Sequence, residues 1–361
     1  MKKNGIALAI ILIILVMTLV ACGENDFDTC VHNVCGYQEC IFSRNEDGES
    51  YTITGLGEDF EGTELVIPAE YNGKPVTTIG SYAFEYCSSL TSIVIPDSVT
   101  TIDWQAFWNC FSLTSISVDE NHPKYKSIDG NLYSKDGKTL IQYAIGKTAT
   151  SFVIPDSVTT IGDNAFRDCS SLTSIVIPDS VTTIGDRAFW DCDSLTSIVI
   201  PDSVTIIDGD AFAGCDSLTS VTFGENSQLT TIGGGAFYSC DSLTSITIPD
   251  SVVYIRASAF YGCRSLTSVT IPSTVTEIGV KAFRECTSLT SIVIPDSVTA
   301  IGECAFEECN SLTSVTFEDP NGWYVARAQD DPSGTKVTLT NPSTNAKYLK
   351  STFLYFYWYK K

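Results

Sequence analysis

Histidine is almost absent. Of 361 residues only His32 and His122 carry an imidazole, so a Ser-His-Asp or Cys-His pair would have to use one of these two. Neither stands beside a nucleophile elbow of the GxSxG kind. No P-loop, no GxGxxG after a strand and no HExxH occurs, so no cofactor is indicated and catalysis has no evident foothold. Basic residues are scarce as well: 21 Lys and Arg face 43 Asp and Glu, a formal charge of −22. A chain of that charge is repelled by phosphate backbones, which excludes nucleic acid as a partner. The acidic balance itself speaks first of solubility.

Long apolar runs are also lacking, apart from one at the start. Lys2 and Lys3 precede Ile6 to Val20, a run broken only by Thr18. It is too short for a comfortable transmembrane helix and suits the apolar region of a secretory leader. It ends in Leu19-Val20-Ala21-Cys22, which resembles the lipobox of bacterial lipoproteins. The resemblance implies a leader over residues 1–21, a diacylglyceryl group on the Cys22 sulfur, and Cys22 as the mature N-terminus. Loss of two lysines would move the charge from −22 to −24. Two acyl chains hold a protein stably on a membrane, in a compartment where thiols are not kept reduced. An uncleaved short anchor is the competing reading.

What the chain has in abundance is self-similarity. Ala-Phe recurs from Ala83-Phe84 to Ala305-Phe306, mostly at intervals of 23 residues. One interval is longer because of an insertion over 119–150, where a unit lacks its own Ala-Phe. Another absorbs two residues in 224–228. A cysteine follows each Phe by three residues, from Cys87 to Cys309.

Within one unit, Leu172, Ile175 and Ile177 occupy alternating inward places, and Pro178 ends the strand. Val181 and Ile184 turn inward again. Gly185 and Asp186 are expected to open a short helical stretch carrying Ala188, Phe189 and Cys192 on its inner side. Such a unit cannot form a core alone, but stacked units can.

The unit LTSIxIPxSVTxIGxxAFxxC resembles the BspA-like leucine-rich repeats over about residues 51–317. The resemblance implies a right-handed, curved leucine-rich-repeat solenoid. Its concave face would be a parallel β-sheet and its convex side short helical or irregular segments. Eleven strands are expected on the first ladder, from 64–68 to 314–317. The 119–150 insertion, with Asp129-Gly130 and Asp136-Gly137, reads as a hairpin projecting from the solenoid edge. Asn72-Gly73 reads as a turn with positive φ.

Residues 22–50 read as a tether holding Cys30, His32, Cys35 and Cys40. A local disulfide, loose thiols or a small metal site are all compatible, although the spacings are not those of a zinc finger. Residues 318–361 read as a cap over the open solenoid end, or else as an aromatic platform for glycan. The cysteine column reads as buried thiols. Cys304 is expected to be exposed, because its column (Tyr82, Gln105, Asn164, Arg187, Asp210, Gly235, Ser258 and Lys281) is mostly polar. The Asp residues of the PDS segments recur once per unit and read as features of the fold, with a calcium ladder conceivable.

The candidate binding residues are hydroxyls that face away from the core: Thr173, Ser174, Thr196, Ser197, Thr219, Ser220, Thr222, Thr244, Ser245, Thr247, Thr267, Ser268 and Thr270. They are expected to form an uncharged face for an extracellular protein or glycan. Plain solvated β surface is the competing reading, since Thr and Val favour strands anyway. The functional expectation is therefore a cell-surface adhesion lipoprotein, or alternatively a structural envelope protein without a specific ligand.

Overall fold

The computed structural model describes residues 40–57, 60–328 and 333–361. Cys22 and the Cys30, His32 and Cys35 group lie outside the described residues. The chain is a parallel β-solenoid with about 23 residues per repeat, and it divides into two compact units at Ser127 and Ile128.

In the first unit, Cys40–Arg44 pairs antiparallel with Tyr51–Leu56, so the segment read as a tether is already folded from Cys40. The Asp47 carboxylate accepts from the Glu49 and Ser50 N–H groups and closes the connection. Tyr51–Leu56 continues in parallel with Lys74–Ile79, and that strand with Thr101–Ile102. Glu64–Val66, Ser92–Ile95 and Ser115–Val118 form a second parallel ladder. Asn72 and Gly73 both have positive φ, 51° and 71°, as the Asn-Gly pair requires.

In the second unit the same two ladders run side by side. Ser151–Val153, Ser174–Val176, Ser197–Ile200, Ser220–Phe223, Ser245–Thr247 and Ser268–Thr270 pair in parallel, and Ser291–Ile294 pairs with Ser314–Phe317. With three such strands in the first unit and eight here, the eleven expected strands are all present. The other ladder is made of very short strands such as Thr183–Ile184 and Ile206–Ile207.

Between the ladders lies the core. Phe166, Phe189, Phe212, Phe237, Phe260, Phe283 and Phe306 are fully buried and stack nearly parallel, with ring centroids 4.9 to 5.5 Å apart. Offset parallel rings satisfy the aromatic quadrupole, and one ring per repeat gives each repeat's side chain two like neighbours.

The Ala-Phe segment is not the helical stretch the spacing predicts. Arg187 and Asp191 are left-handed, with φ of 53° and 55°. This turns alternate N–H groups in opposite senses. Ala188, Trp190 and Cys192 donate within the repeat, to Gly185, Arg187 and Phe189, while Arg187, Phe189 and Asp191 donate to Gly209, Ala211 and Ala213 of the next. The segment is thus a third ladder, built from turns. The acidic residue does cap an N–H, but across repeats: the Asp163 carboxylate accepts from the Asp186 N–H at 3.0 Å.

The left-handed backbone also explains why Cys304 is not exposed. Every non-glycine member of its column has a positive φ, between 53° and 60°. The column is polar because Asn, Asp and other non-branched residues tolerate that conformation, not because it faces water. Cys304 itself is 3 % exposed, and its N–H donates to the Leu354 carbonyl of the C-terminal segment at 2.8 Å.

That segment is a cap. Tyr357–Lys360 runs antiparallel to Ala300–Ile301 and ends the short-strand ladder, and Trp323–Ala326 and Thr335–Lys336 extend it. Trp323 and Trp358 are buried, with Trp323 edge-on to Phe317 at 5.1 Å. The helix Pro342–Lys347 has Asn341 as its N-cap, and the buried Asn345 side chain donates to the Val315 carbonyl. Lys350 donates to the Leu312 carbonyl at 2.7 Å.

The insertion does contain a hairpin, Asn131–Ser134 with Thr139–Gln142, but it does not project. Thr139 and Leu140 pair in parallel with Thr160 and Ile161, and Leu132, Tyr133 and Leu140 are buried. Tyr143 supplies the ring that the missing Ala-Phe would have given, 5.2 Å from Phe166.

Candidate functional site

The strand Ser197–Ile200 shows how the face arises. Ile198 and Ile200 are buried and Ser197 and Val199 exposed, so alternation sends hydroxyls and valines outward. Parallel pairing in register repeats this on every neighbour: Ser197 lies beside Ser220, Val199 beside Thr222, and Thr247 beside Thr270. All thirteen candidate residues are exposed, and they share this one face of the second unit. Val176 and Val199 are exposed beside them.

The hydroxyls are not equivalent. Thr173 Oγ1 donates to the Thr150 carbonyl at 3.0 Å, Thr196 to Thr173 at 3.2 Å, Thr219 to Thr196 at 2.9 Å and Thr267 to Thr244 at 3.0 Å. Their protons are committed to the preceding repeat, and only lone pairs face outward. The serine hydroxyls make no such bond among the described residues.

Several ion pairs of this unit lie along the third ladder. Arg187 bridges Asp186 and Asp210, and Arg264 bridges Asp241 and Glu285. Trp190 lies between the Arg167 and Arg187 guanidinium groups, each 4.9 Å from the ring. Burial, reinforced by the carboxylates of Asp168 and Asp193, pushes Asp191 up to about 6. Burial raises Asp193 and Asp216 as well.

One recess interrupts the hydroxyl face. The two extra residues of 224–228 form a loop beside an open cleft of about 640 Å³, lined among others by Thr222, Glu225, Asn226, Gln228, Ser245 and Asp250. Asp202 holds the loop, its carboxylate accepting from the Asn226 N–H and its carbonyl from the Gln228 N–H. The interval of 25 marked this place in the sequence, but no loop residue there was singled out.

His122 is buried in a turn, where its Nδ1 accepts from the Lys124 and Tyr125 N–H groups at 3.1 Å each. That nitrogen is occupied by the backbone. Among the described residues no three His, Cys, Asp or Glu side chains are grouped so as to hold a metal ion.

The pattern of the BspA-type leucine-rich-repeat region matches residues 61–141, 142–263 and 230–322, in six copies, which is more than half of the chain. The protein belongs to the BspA-type leucine-rich-repeat family. A crystal structure of a leucine-rich repeat protein from Eubacterium ventriosum is similar to it at 25% identity, with a TM-score of 0.58, over 81% of this chain and 96% of that one. A leucine-rich cell surface protein from Faecalibacterium prausnitzii is 26% identical over 78% of this chain and 94% of that one, with a TM-score of 0.41. Comparison with curated proteins returns no match. The BspA-type repeat is a scaffold for protein interaction rather than a catalytic family, and no enzymatic family appears among the matches.

Proposed function

We propose that this BspA-type protein is a surface adhesion lipoprotein, anchored through Cys22 and binding an extracellular protein or glycan on the hydroxyl face of its second unit. The observation that carries the reading is the uncharged character of the strand face. In a chain of net charge −22, the exposed positions of these strands are hydroxyl residues and valines, with no charged side chain. A face of this kind avoids repulsion and offers many weak hydrogen bonds, and many copies on one surface convert weak contacts into adhesion. Secretion and lipid attachment rest on the leader and on Leu19–Cys22.

A second reading, a structural envelope protein without a ligand, is favoured by one observation. The threonine protons are committed to the backbone, as a plain β-solenoid would also have them.

The test is pull-down of extracellular-matrix proteins with the full chain and with a variant carrying Thr196→Glu, Thr219→Glu and Thr244→Glu. Loss of a captured partner, with the unfolding transition retained, supports the binding face. Equal capture moves the site elsewhere, and no capture by either chain favours the structural reading. For the anchor, Cys22→Ser should release the protein from the membrane fraction; unchanged retention and mass would dismiss it.

A further inference from the structure

At the start of the second unit the insertion brings a lysine onto a buried asparagine. Asn131 opens the hairpin strand Asn131–Ser134 and is 1 % exposed. Half-buried Lys147 closes the turn after Tyr143, its N–H donating to the Ala144 carbonyl at 3.1 Å. Lys147 Nζ donates to Asn131 Oδ1 at 2.8 Å and to the Asp129 carbonyl, and lies 5.1 Å from the centre of the Tyr143 ring. The same Asn131 oxygen accepts the Ala144 N–H at 3.1 Å, so the carboxamide is polarised by two donors.

Both halves of this contact are unfavourable as they stand. Among the described residues Lys147 makes no ion pair, and its printed acceptors are neutral oxygens. Burial lowers its ammonium below the ordinary lysine value, against the pull of the Asp129 charge. The Asn131 amide nitrogen is buried too; it has the Tyr133 hydroxyl nearby but no hydrogen bond of proper geometry. A buried donor left in that way costs free energy.

We propose that Lys147 and Asn131 become joined by an isopeptide bond that the folded chain makes on itself. A desolvated lysine amine is a nucleophile, and Nζ is already in contact with the group it would attack. Nζ adds to Asn131 Cγ, and the Ala144 N–H holds the charge that develops on Oδ1. The Cγ–Nζ bond forms, the Cγ–Nδ2 bond breaks, and Nδ2 leaves as ammonia with one proton from Nζ. The Asp129 carboxylate, whose charge acts on both Lys147 and Tyr133, carries that proton between the two nitrogens. The step is a transamidation and takes no oxidant or cofactor. Its product has neither the half-buried ammonium nor the unsatisfied amide. It also closes residues 131–147 into a covalent loop around the hairpin that replaces the missing Ala-Phe, with fewer unfolded conformations open to it. The bond is remote from the hydroxyl face and stands whether or not that face binds.

The experiment is mass spectrometry of the full chain, freshly purified and after prolonged incubation of the folded protein at mildly alkaline pH. Loss of one ammonia lowers the intact mass by about 17 Da. Trypsin should then release residues 127–135 and 139–167 as one branched peptide, uncut after Lys147. A succinimide at Asn72-Gly73 would lower the mass equally but give no branch. In Lys147→Arg and in Asn131→Ala the two peptides should separate and the ammonia be retained. Separate peptides from the unaltered chain after incubation, or a branch that persists in either variant, would overturn the proposal.

Discussion

The Cys192 thiol donates to the main-chain carbonyl of Phe166 at 3.1 Å, across 26 residues of sequence, and both groups are buried. The bond recurs at Cys110, Cys215, Cys240, Cys263, Cys286 and Cys309, each reaching the Phe of the repeat before. The column therefore carries both an apolar filler and a weak donor, placed where a carbonyl would otherwise have a spare lone pair.

These thiols should be inert. Burial pushes Cys263 and Cys309 up to about 12, and Cys304 to about 11. The thiolate is the reacting species, so native-state alkylation at mildly alkaline pH should leave all three unlabelled, while half-buried Cys87 reacts before Cys110. Peptide mass mapping would show this. Labelling of Cys304 at the rate of an unfolded control would restore the exposed position that its column composition suggested.

Phe189→Ala removes the centre of a stack of like rings and should cost about 3–5 kcal/mol. Urea denaturation of the two chains gives the difference. A loss within the error of the midpoint would mean that the ring column does not support the core.

Gly279 marks a different constraint. A Cβ there would lie 2.5 Å from the Arg256 carbonyl carbon and 2.6 Å from the Ala257 nitrogen, both backbone atoms of the preceding repeat. Gly279→Ala must push two repeats apart, and overpacking of this kind costs roughly 1–3 kcal/mol or more. Gly73→Ala is the informative control: no atom lies near its added carbon, and only the positive φ opposes it. A thermal midpoint lowered less by Gly279→Ala than by Gly73→Ala would contradict the close approach.

Asp191 sets a pH dependence. Its folded pKa, about 6, lies above the ordinary value of 3.8, mainly through burial and then through Asp168 and Asp193. The folded state therefore holds the proton more tightly. The resulting stability is fully present below 3.8 and is lost as pH rises through 6. Asp191→Asn should raise the unfolding midpoint at pH 7.5, with an advantage that shrinks as pH falls from 6 toward 4. The reverse slope would show that the nearby Arg167 governs the carboxylate.

The repeat architecture was legible because inward positions leave a period in the chain. Leu172, Ile175, Phe189 and Cys192 mark their columns without help from any contact. The outward hydroxyls followed by alternation alone. What escaped was whatever depends on backbone handedness or on contact across repeats. The Cys304 column looks like surface, yet its polarity reports left-handed φ. The Ala-Phe segment has helical spacing, yet Arg187 and Asp191 break the helix at both ends.

The strand Tyr357–Lys360 has a consequence beyond covering tryptophans. A ladder of parallel strands ends in open donors and acceptors that match the start of another such ladder, so chains crowded together could join end to end. Here the last repeat meets a strand of opposite direction, and the sheet then closes on Thr335–Lys336, two residues long, exposed and ending in a lysine. A short, charged margin gives an incoming strand little to template on. At this edge of the short-strand ladder a second copy of the chain finds little to extend.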